Sequence, residues 1–543
     1  MLFILLACTQ PTDTSGSFQV EDSGDTSVDD SGDSGDTGPI GDDAAFEAIR
    51  KAAKRDIRNS NASGASVAVW RDGAIIFAEG FGTRDPDTDD PVLTTTLFQI
   101  GSDTKKLTAI AALQHVEAGA MSLDSTVADV VPTLTFASDP ELAGSLTLHE
   151  LMSHQSGLFD YTPWVDAPAD TDLYDRAAGR FAANEYAIGP SGLYWNYANP
   201  NFSLAGLMTQ QVDGRMWPDI VEQDIFAPLG LTRTFARKSE VAADGDYAIG
   251  YGYYFPDGYD TFEAFGETPD YVYGTTSFEN TPDDGFIRPA GLVWSTASDM
   301  AELEGFLIDG DPSVLSDDLR GAITTPYAAL YAGTDPTLIG YGYGMMINST
   351  GWNGLKGYYD GVPLWAHGGN TMTMTSTTYL LPNQRVAVSI LSNGYGDDFT
   401  TTAVTALEGL AVLPEPTTAP ELFQPPANIE AVAGDWSGPD VGTLTITWDG
   451  TELEVQAPDL EAAGLDVGAT LDPYSLDIYT LSIDGVAYDL SFYQGDDGTA
   501  WLANRSFGWS RGASAAPSGP PPGASGRPLP TLDERLPMRR LIP

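Results

Sequence analysis

Cysteine, basic residues and long apolar runs are all scarce in this chain of 543 residues. With Cys8 as its one cysteine, the monomer has no second thiol for a disulfide bond. Basic residues number 25 against 77 acidic ones, which gives a formal net charge of −52. A surface this negative repels phosphate backbones, so nucleic-acid binding is excluded as a function class. No apolar run approaches the roughly 20 residues of a membrane-spanning helix.

Cys8 ends the opening run MLFILLAC, and an acidic segment without a basic residue follows at 9–43. Leu5-Leu6-Ala7-Cys8 resembles a bacterial lipobox, in which the cysteine carries lipid, although the apolar segment is short and no Lys or Arg precedes it. The alternative is an ordinary apolar N-terminus with a buried thiol. Residues 9–43 have too few apolar side chains to fold and predict a disordered tether. We therefore expect an exported protein, periplasmic or on the cell surface, whose one membrane contact is the lipid on Cys8.

The rest of the chain divides into two ordered parts. Helical patterns dominate from about 100 to 310, between strand patterns near 65–82 and 375–393. This order predicts an α+β fold: one antiparallel sheet flanked by helices, with a large helical insertion in which 244–288 forms long loops. A Pro-rich break and a β-rich C-terminal module follow. The predicted segments are a lipoprotein-type signal at 1–8, an acidic linker at 9–43, a main domain at 44–413, a Pro-rich linker at 414–428, a β-rich domain at 429–511 and a flexible Pro/Gly-rich tail at 512–543.

Ser102 and Lys105 lie three residues apart in FQIGSDTKKLTAIAALQ (98–114), where an apolar, helix-like run begins. If a helix starts near Gly101, both side chains share one face, about 5–6 Å apart at Cβ. The helix N-terminus adds partial positive charge and N–H groups beside the serine. The pair therefore predicts a nucleophilic serine with a cation beneath it, and the alternative is chance spacing.

Two later segments carry further polar motifs in a fixed order. They are GLYWNYANPNFSLAG (192–206), with Tyr197 and Asn199, and LWAHGGNTMTMTS (364–376), with His367, Gly368 and Gly369. Together with Ser102 and Lys105 they resemble S-x-x-K, Y-x-N and the H-x-G variant of K-T-G, the ordered motifs of the penicillin-recognising serine hydrolases. That family comprises class C β-lactamases, D-alanyl-D-alanine carboxypeptidases and related esterases. The resemblance covers roughly 44–413, and the C-terminal module is similar to the β domain often appended to such enzymes.

The resemblance implies a role for each motif residue. Ser102 attacks an acyl carbon and forms an acyl-enzyme, which water hydrolyses. Tyr197 and Lys105 share the proton transfer, with the Tyr197 phenolate preferred as the base. Asn199 binds the substrate or holds Lys105. The backbone N–H groups of Ser102 and Asn370 form the oxyanion hole, and Gly368 and Gly369 let the substrate lie close to the strand.

The third motif departs from that of many relatives, which carry lysine at the position of His367. A histidine with a pKa near 6.5 is mostly neutral at pH 7, so it holds a substrate carboxylate less firmly and favours the Tyr197 phenolate less. If His367 tunes the site, activity changes between about pH 5.5 and 7.5. Thr373 and Met374 also replace a glycine and an aromatic residue of relatives, which predicts a narrower or more apolar pocket.

The function expected from these features is hydrolysis through Ser102, of the D-alanyl carboxypeptidase or esterase type. A class C-type β-lactamase and a non-catalytic cell-envelope binding protein with the same fold remain as alternatives. The expected substrate is a small molecule or a peptide, including one derived from peptidoglycan. No cofactor and no metal are expected, since His149, Glu150 and His154 have the wrong spacing for H-E-x-x-H, with the two histidines about 140° apart on a helix.

Overall fold

The computed structural model describes residues 42–160, 166–254, 272–420, 426, 428–438, 441–495, 498–505 and 507–512. Cys8, the predicted signal, residues 9–41 of the predicted linker and the tail from residue 513 lie outside the described residues. Asp42 and Asp43, which the sequence interpretation assigned to the linker, are the first two residues of a helix. Their carboxylates suit that position because the N-terminus of a helix carries partial positive charge.

Helices make up most of the insertion and cover both faces of the main sheet. In chain order they are α1 Asp42–Asn59, α2 Thr104–Glu117, α3 Val127–Val130, α4 Leu142–Ser145, α5 Leu148–Met152, α6 Asp172–Arg176, α7 Ala182–Asn184, α8 Asn199–Asp213, α9 Trp217–Val221, α10 Ala227–Leu229, α11 Lys238–Asp244, α12 Arg288–Gly291, α13 Ala297–Asp309, α14 Asp317–Ile323, α15 Thr400–Leu410 and α16 Pro458–Ala462. Within the described residues, no helix has both the length and the apolar character needed to cross a membrane.

The strands form one large sheet, one closed barrel and several two-stranded pairs. In chain order they are β1 Gly64–Arg71, β2 Ala74–Gly82, β3 Phe98–Gln99, β4 Asp166–Ala167, β5 Tyr251–Tyr254, β6 Val272–Thr275, β7 Asp283–Asp284, β8 Trp294–Ser295, β9 Ala328–Ala329, β10 Ile339–Tyr341, β11 Met346–Asn348, β12 Gly351–Asn353, β13 Tyr358–Asp360, β14 Leu364–Asn370, β15 Thr375–Leu381, β16 Val386–Ser392, β17 Gly434–Gly438, β18 Gly442–Trp448, β19 Leu453–Gln456, β20 Val467–Ser475, β21 Ile478–Ile483, β22 Val486–Gln494, β23 Ala500–Ala503 and β24 Gly508–Arg511.

The main sheet is antiparallel and is built from both ends of its domain. Its order is β2-β1-β16-β15-β14-β11-β10-β9, with β1 pairing antiparallel to both β2 and β16. The helical insertion separates β2 from β9 in the chain, and β17 to β24 close a barrel at the C-terminal end. The predicted α+β fold, with its helical insertion and C-terminal β-rich module, is confirmed.

Strand β1 shows why the sheet needs helices on both faces. Successive side chains of a strand point to opposite faces, and here both sets are apolar. Ala68 and Trp70 join the core that contains α2 and α13, whereas Val67 and Val69 join the core beneath α1 and α15. Both faces of the sheet are therefore covered, and the site can open only at an end or edge of the strands.

The prediction of loops throughout 244–288 is wrong for part of that stretch. Strands β5 and β6 pair antiparallel within it, and residues 255–271 between them lie outside the described residues. The pairing follows from tyrosines on facing strands. The Tyr273 ring lies 4.6 Å from that of Tyr253 and 5.4 Å from that of Tyr251, and such cross-strand aromatic pairs stabilise a hairpin.

Candidate active site

Ser102 lies in a single 3₁₀ turn, Gly101–Asp103, immediately before α2. Gly101 has φ of +53°, and a Cβ atom there would lie 2.5 Å from the backbone nitrogen of Asn370. Only glycine combines this left-handed conformation with so close an approach. The turn therefore presses the backbone beside Ser102 against the end of β14, where Asn370 lies.

Lys105 is the second residue of α2 and is fully buried, and its ammonium nitrogen donates to oxygens of Ser102, Asn199 and Ala290. Lys105 Nζ lies 2.9 Å from Ser102 Oγ, 2.8 Å from Asn199 Oδ1 and 2.8 Å from the carbonyl oxygen of Ala290. The amide and carbonyl oxygens can only accept hydrogen bonds. They fix two N–H directions of the lysine, and the third direction faces the serine.

Tyr197 and Asn199 reach the same place from the start of α8. Asn199 is the first residue of that helix, and Pro200 follows at a position where a missing N–H costs nothing. The buried ring of Tyr197 lies 4.8 Å from Lys105 Nζ, measured to the ring centroid. The structure thus brings together Ser102, Lys105, Tyr197 and Asn199, the members of the first two predicted motifs.

His154 packs against the ring of Tyr197. Its ring centroid lies 4.2 Å from that of Tyr197, and its Nδ1 accepts hydrogen bonds from Asn201 Nδ2 at 2.9 Å and from the Ala198 N–H at 3.3 Å. Complete burial holds the pKa of His154 well below its ordinary value. His154 is therefore a neutral packing partner of Tyr197.

The third motif lies on β14, beside the serine. A Cβ atom at Gly369 would lie 1.9 Å from the Ile100 carbonyl oxygen and 2.8 Å from Gly101 Cα, so β14 can touch the Ser102 turn only where it has glycine. Asn370 follows, and its Oδ1 accepts hydrogen bonds from Thr375 Oγ1 and the Gly396 N–H, both at 3.0 Å. Gly369 and Asn370 thus lie directly against the turn that carries Ser102.

His367 does not behave as the sequence predicts. Its ring is buried, with Nδ1 2.6 Å from the Gly368 carbonyl oxygen and Nε2 3.0 Å from the Tyr341 hydroxyl. A carbonyl oxygen only accepts, so Nδ1 carries the proton and Nε2 accepts from Tyr341. Burial lowers the pKa of His367 to about 4. The expected titration between pH 5.5 and 7.5 is therefore displaced to lower pH.

The two replaced residues after the third motif are both buried. Met374 belongs to the main core, and its sulfur accepts a hydrogen bond from the Gln99 N–H at 3.3 Å. Thr373 packs against Gly250, where a Cβ atom would lie 2.4 Å from Thr373 Oγ1. Met374 therefore fills the core beneath the strand.

A second lysine and two carboxylates form a buried charge cluster under the site. Lys106 Nζ pairs with Asp103 Oδ1 at 2.7 Å and with Glu304, and all three side chains are fully buried. Burial raises the pKa of Glu304 to about 7. Burial opposes the charge of Lys106, but Asp103 and Glu304 hold the pKa of Lys106 above its ordinary value. Asp103 also accepts hydrogen bonds from Ser376 and Thr378 of β15, so the cluster ties the Ser102 turn to the sheet.

Two further residues beside the motifs were not anticipated from the sequence. Asp160 Oδ1 accepts a hydrogen bond from the Asn199 N–H at 2.9 Å, and Arg505 of the C-terminal barrel lies with its Cζ 4.7 Å from the Tyr197 ring centroid. Asp160 comes six residues after His154 in the chain, which is a weak local signal. Arg505 is 308 residues from Tyr197, and no spacing in the sequence connects them.

Among the described residues, the histidines of the rejected zinc motif make other contacts. His149 Nδ1 lies 2.7 Å from the Tyr343 hydroxyl, and His154 packs on Tyr197. The group in the described chain whose ligand atoms are close enough for a metal is Asp449, Glu452 and Glu454, which is exposed. Exposed carboxylates of this kind are common on acidic surfaces, and the cluster lies on the barrel rather than at the motifs.

One family model and several curated proteins match this chain in sequence. The family model described as Beta-lactamase matches residues 48–411. The chain is 27% identical to Penicillin-binding protein 4 of Amycolatopsis lactamdurans over 375 residues, which is 67% of this chain and 89% of that protein. Two further curated relatives match over 203 and 201 residues, 40% and 42% of their own length, so the chain spans less than half of those proteins.

Solved structures agree on the fold. The octameric penicillin-binding protein homologue from Pyrococcus abyssi is 21% identical, with a TM-score of 0.52, over 86% of this chain and 99% of that one. The D-alanine carboxypeptidase AmpC from Burkholderia cenocepacia is 20% identical, with a TM-score of 0.50, over 68% of this chain and 100% of its own. At these identities the likeness shows a shared fold.

Proposed function

The chain belongs to the Beta-lactamase family, the penicillin-recognising serine hydrolases, and from that premise we propose that it hydrolyses acyl compounds through an acyl-enzyme on Ser102. The observation that carries the proposal is the hydrogen bond of 2.9 Å between Lys105 Nζ and Ser102 Oγ. The same nitrogen is fixed by Asn199 of the second motif. A buried lysine cation this close to a serine stabilises negative charge on the serine oxygen.

In the proposed reaction, Ser102 Oγ attacks the acyl carbon while its proton passes to Tyr197. The leaving alcohol or amine takes that proton as its bond to the acyl carbon breaks, which leaves the acyl group on Ser102. Water then attacks the acyl carbon and gives a proton to Tyr197; the bond from that carbon to Ser102 Oγ breaks, Ser102 Oγ takes the proton from Tyr197, and the acid is released. We assign the base to Tyr197 because Lys105 Nζ and Arg505 Cζ lie 4.8 and 4.7 Å from its ring centroid, and positive charge favours a phenolate.

The negative oxygen that forms during attack needs fixed donors. We assign this role to the backbone N–H groups of Ser102 and Asn370. The close approach of Gly101 to Asn370, where an added Cβ would lie 2.5 Å from the Asn370 nitrogen, supports this pairing. Each donor of such a pair contributes about 10²–10³ in rate in well-studied hydrolases.

The environment of His367 favours esters that carry no carboxylate and counts against an efficient β-lactamase. The ring is neutral because burial lowers its pKa to about 4, so it offers no positive charge to a substrate carboxylate. We propose short acyl esters and D-alanyl peptides, including peptidoglycan-derived ones, as substrates. A named D-alanine carboxypeptidase stands among the structural neighbours alongside class C β-lactamases, so the fold accommodates both reactions. Export and a lipid anchor on Cys8 remain part of the proposal, and they rest on the run Leu5-Leu6-Ala7-Cys8 and the acidic segment after it.

The test uses the full chain with three probes: p-nitrophenyl acetate, a chromogenic cephalosporin and a D-alanyl-D-alanine peptide. Ser102→Ala is compared with Ser122→Ala, which changes an exposed serine. We expect turnover of the ester or the peptide that disappears in Ser102→Ala and persists in Ser122→Ala. Intact-mass spectrometry after a fluorophosphonate, which loses fluoride as the serine oxygen binds phosphorus, should show one adduct that Ser102→Ala lacks.

Two other results would replace the proposal. Turnover of the cephalosporin far above the other probes would make the protein a class C-type β-lactamase. No turnover and no adduct, with binding of the peptide kept in Ser102→Ala, would make it a binding protein that retains the fold.

A further inference from the structure

The site lacks a positive charge at its third motif. His367 is neutral and both of its ring nitrogens are engaged, one by the Gly368 carbonyl oxygen and one by the Tyr341 hydroxyl. The ring is 1% exposed. Whatever the third motif contributes here, it contributes without charge.

Arg505 of the C-terminal barrel brings a positive charge to Tyr197 of the second motif. It lies in the connection between β23 and β24 of the barrel, and its side chain is 26% exposed. Its Nε donates a hydrogen bond of 3.1 Å to the Tyr197 carbonyl oxygen, and its Cζ lies 4.7 Å from the Tyr197 ring centroid. The guanidinium thus binds both the backbone and the ring face of Tyr197.

Asp160 connects this arginine to the rest of the site. Its side chain accepts hydrogen bonds from Arg505 Nη2 and from the Asn199 N–H, and the Asp160 N–H donates to the Arg505 carbonyl oxygen at 2.9 Å. Asn199 in turn holds Lys105, which holds Ser102. A continuous set of hydrogen bonds therefore runs from the barrel to the serine.

The barrel is docked firmly enough to fix this contact. The rings of Tyr194 and Tyr493 lie 4.8 Å apart across the junction, and Ala503 joins a small apolar cluster with Phe159, Tyr186 and Ile188. Phe159 directly precedes Asp160, and the other three main-domain residues precede Tyr197 by 3 to 11 residues. The barrel therefore packs on the segments that carry the second motif.

We propose that Arg505 is a positioning residue of the active site, supplied by the barrel, which holds Tyr197 directly and Asn199 through Asp160, and places beside Tyr197 the positive charge that His367 does not carry. The inference rests on the proposed serine hydrolase function and deepens it. It gives the C-terminal barrel a defined part in the reaction: without Arg505, Tyr197 loses a neighbouring charge and one hydrogen bond, and Asp160, which holds Asn199, loses another.

The charge matters because a guanidinium stays protonated at every accessible pH. A fixed positive charge beside a phenol favours the phenolate and lets it accept a proton at lower pH. The titratable or charged groups around Tyr197 come from several elements: Lys105 of α2, Arg505 of the barrel, Asp160, His154, Tyr341 of β10 and His367 of β14. His154 and His367 are neutral because burial lowers the pKa of both. The charges that remain are two cations and the carboxylate of Asp160.

The experiment compares Arg505→Gln and Arg505→Lys with Arg511→Gln in the full chain. Arg511 is a matched control: its Cζ lies 4.5 Å from the Trp436 ring centroid and it donates to the carbonyl oxygens of Ala431 and Ala433. It therefore makes the same kind of contacts within the barrel, away from Tyr197. For each protein we would measure kcat/KM on p-nitrophenyl acetate from pH 5 to 10, together with the melting temperature.

We expect Arg505→Gln to lower kcat/KM about tenfold to a hundredfold at pH 7 and to move the rising limb of the pH profile about one unit higher. Arg505→Lys should return the limb toward its original position and recover part of the rate, since lysine restores the charge but not the fork of hydrogen bonds. Arg511→Gln should lower the melting temperature without moving the limb.

A limb that stays in place in Arg505→Gln, or a rate loss no larger than that in Arg511→Gln, would overturn the role of Arg505 while the hydrolase function stands. The role would also be overturned if the rising limb of the pH profile lay at the same raised pH in Arg505→Lys as in Arg505→Gln. Charge would then not be the cause of the shift. A parent protein that matches Ser102→Ala at every pH would remove the proposed function, and this role with it.

Discussion

Lys105 and Lys106 are neighbours in α2, yet their ammonium groups serve different oxygens. Lys105 Nζ lies 2.9 Å from Ser102 Oγ, whereas Lys106 Nζ lies 2.7 Å from Asp103 Oδ1 and also pairs with Glu304. Adjacent residues on a helix point about 100° apart, so Lys105 faces Ser102 and Asn199, whereas Lys106 faces the sheet. The pair allows catalysis and stability to be separated by two single substitutions.

Lys105→Met should abolish most activity while leaving a folded protein. The change keeps a long unbranched side chain, one atom shorter than lysine, and removes the cation beside Ser102, so we expect kcat/KM on p-nitrophenyl acetate to fall about 10²–10⁴-fold. Two acceptors, Asn199 Oδ1 and the Ala290 carbonyl oxygen, lose a partner, at a cost of about 1–3 kcal/mol in the free energy of unfolding. Steady-state kinetics and urea unfolding measure the two effects. A loss of activity below tenfold would count against Lys105 as part of the reaction.

Lys106→Met should act in the opposite sense, on stability first. It leaves the carboxylates of Asp103 and Glu304 buried without their cation, and breaking a buried pair in this way costs about 3–5 kcal/mol. The matched control is Lys356→Met, whose lysine is 63% exposed and pairs with Glu408 at 3.8 Å. That change should cost less than about 1 kcal/mol. Equal unfolding midpoints in urea for the two variants would contradict a structural role for the buried cluster.

The parts of the site that were predictable from sequence are those set by local geometry or by motif order. Ser102 and Lys105 share a helix face because their spacing is three residues, and Gly369 marks a strand that must touch another backbone. Tyr197 and His367 entered through ordered motifs rather than through physical reasoning on their own surroundings. The family and the α+β fold followed from the same order and are confirmed.

What was not predictable depends on contacts between distant parts of the chain. Arg505 reaches Tyr197 because the barrel docks on the segments around Asp160 and Tyr194, and docking leaves no periodic trace in sequence. The pKa of His367 depends likewise on burial by neighbours from β10 and β15, which the sequence around His-Gly-Gly does not reveal. The strands β5 and β6 were missed because tyrosine and glycine in YGYY and VYGT are typical of loops as well as strands.

His367 gives a prediction for pH. Because its pKa in the fold is about 4, it stays neutral over pH 5.5–7.5, and the ratio of kcat/KM between the parent and His367→Gln should be constant there. Parallel pH profiles on one ester measure this ratio. A ratio that changes around pH 6.5 would mean that the imidazole titrates normally and reaches solvent.

The same shift predicts how stability depends on pH. The unfolded histidine titrates near 6.5 and the folded one near 4, so below pH 6.5 the unfolded chain binds a proton that the fold does not. The contribution of His367 is fully present above pH 6.5 and falls by about 1.4 kcal/mol per unit as the pH drops toward 4. Subtracting the free energy of unfolding of His367→Gln from that of the parent cancels the other titrating groups. A difference that stays constant from pH 7.5 to 4.5 would refute the shift.

Gly369→Ala tests whether the contact between β14 and the Ser102 turn sets the rate. The new Cβ would lie 1.9 Å from the Ile100 carbonyl oxygen, so the strand must move away from the turn and carry the Asn370 N–H with it. If that N–H and the one of Ser102 stabilise the same oxyanion, kcat should fall at least about a hundredfold.

Gly80→Ala, on the edge strand β2, is the matched control, because its new Cβ would lie 2.0 Å from the Val92 carbonyl oxygen. Both variants should lose stability through the same kind of clash, about 1–3 kcal/mol. Since only Gly369 adjoins the serine, only its variant should lose kcat per folded molecule. Equal kcat per folded molecule in the two variants would place the oxyanion donors elsewhere.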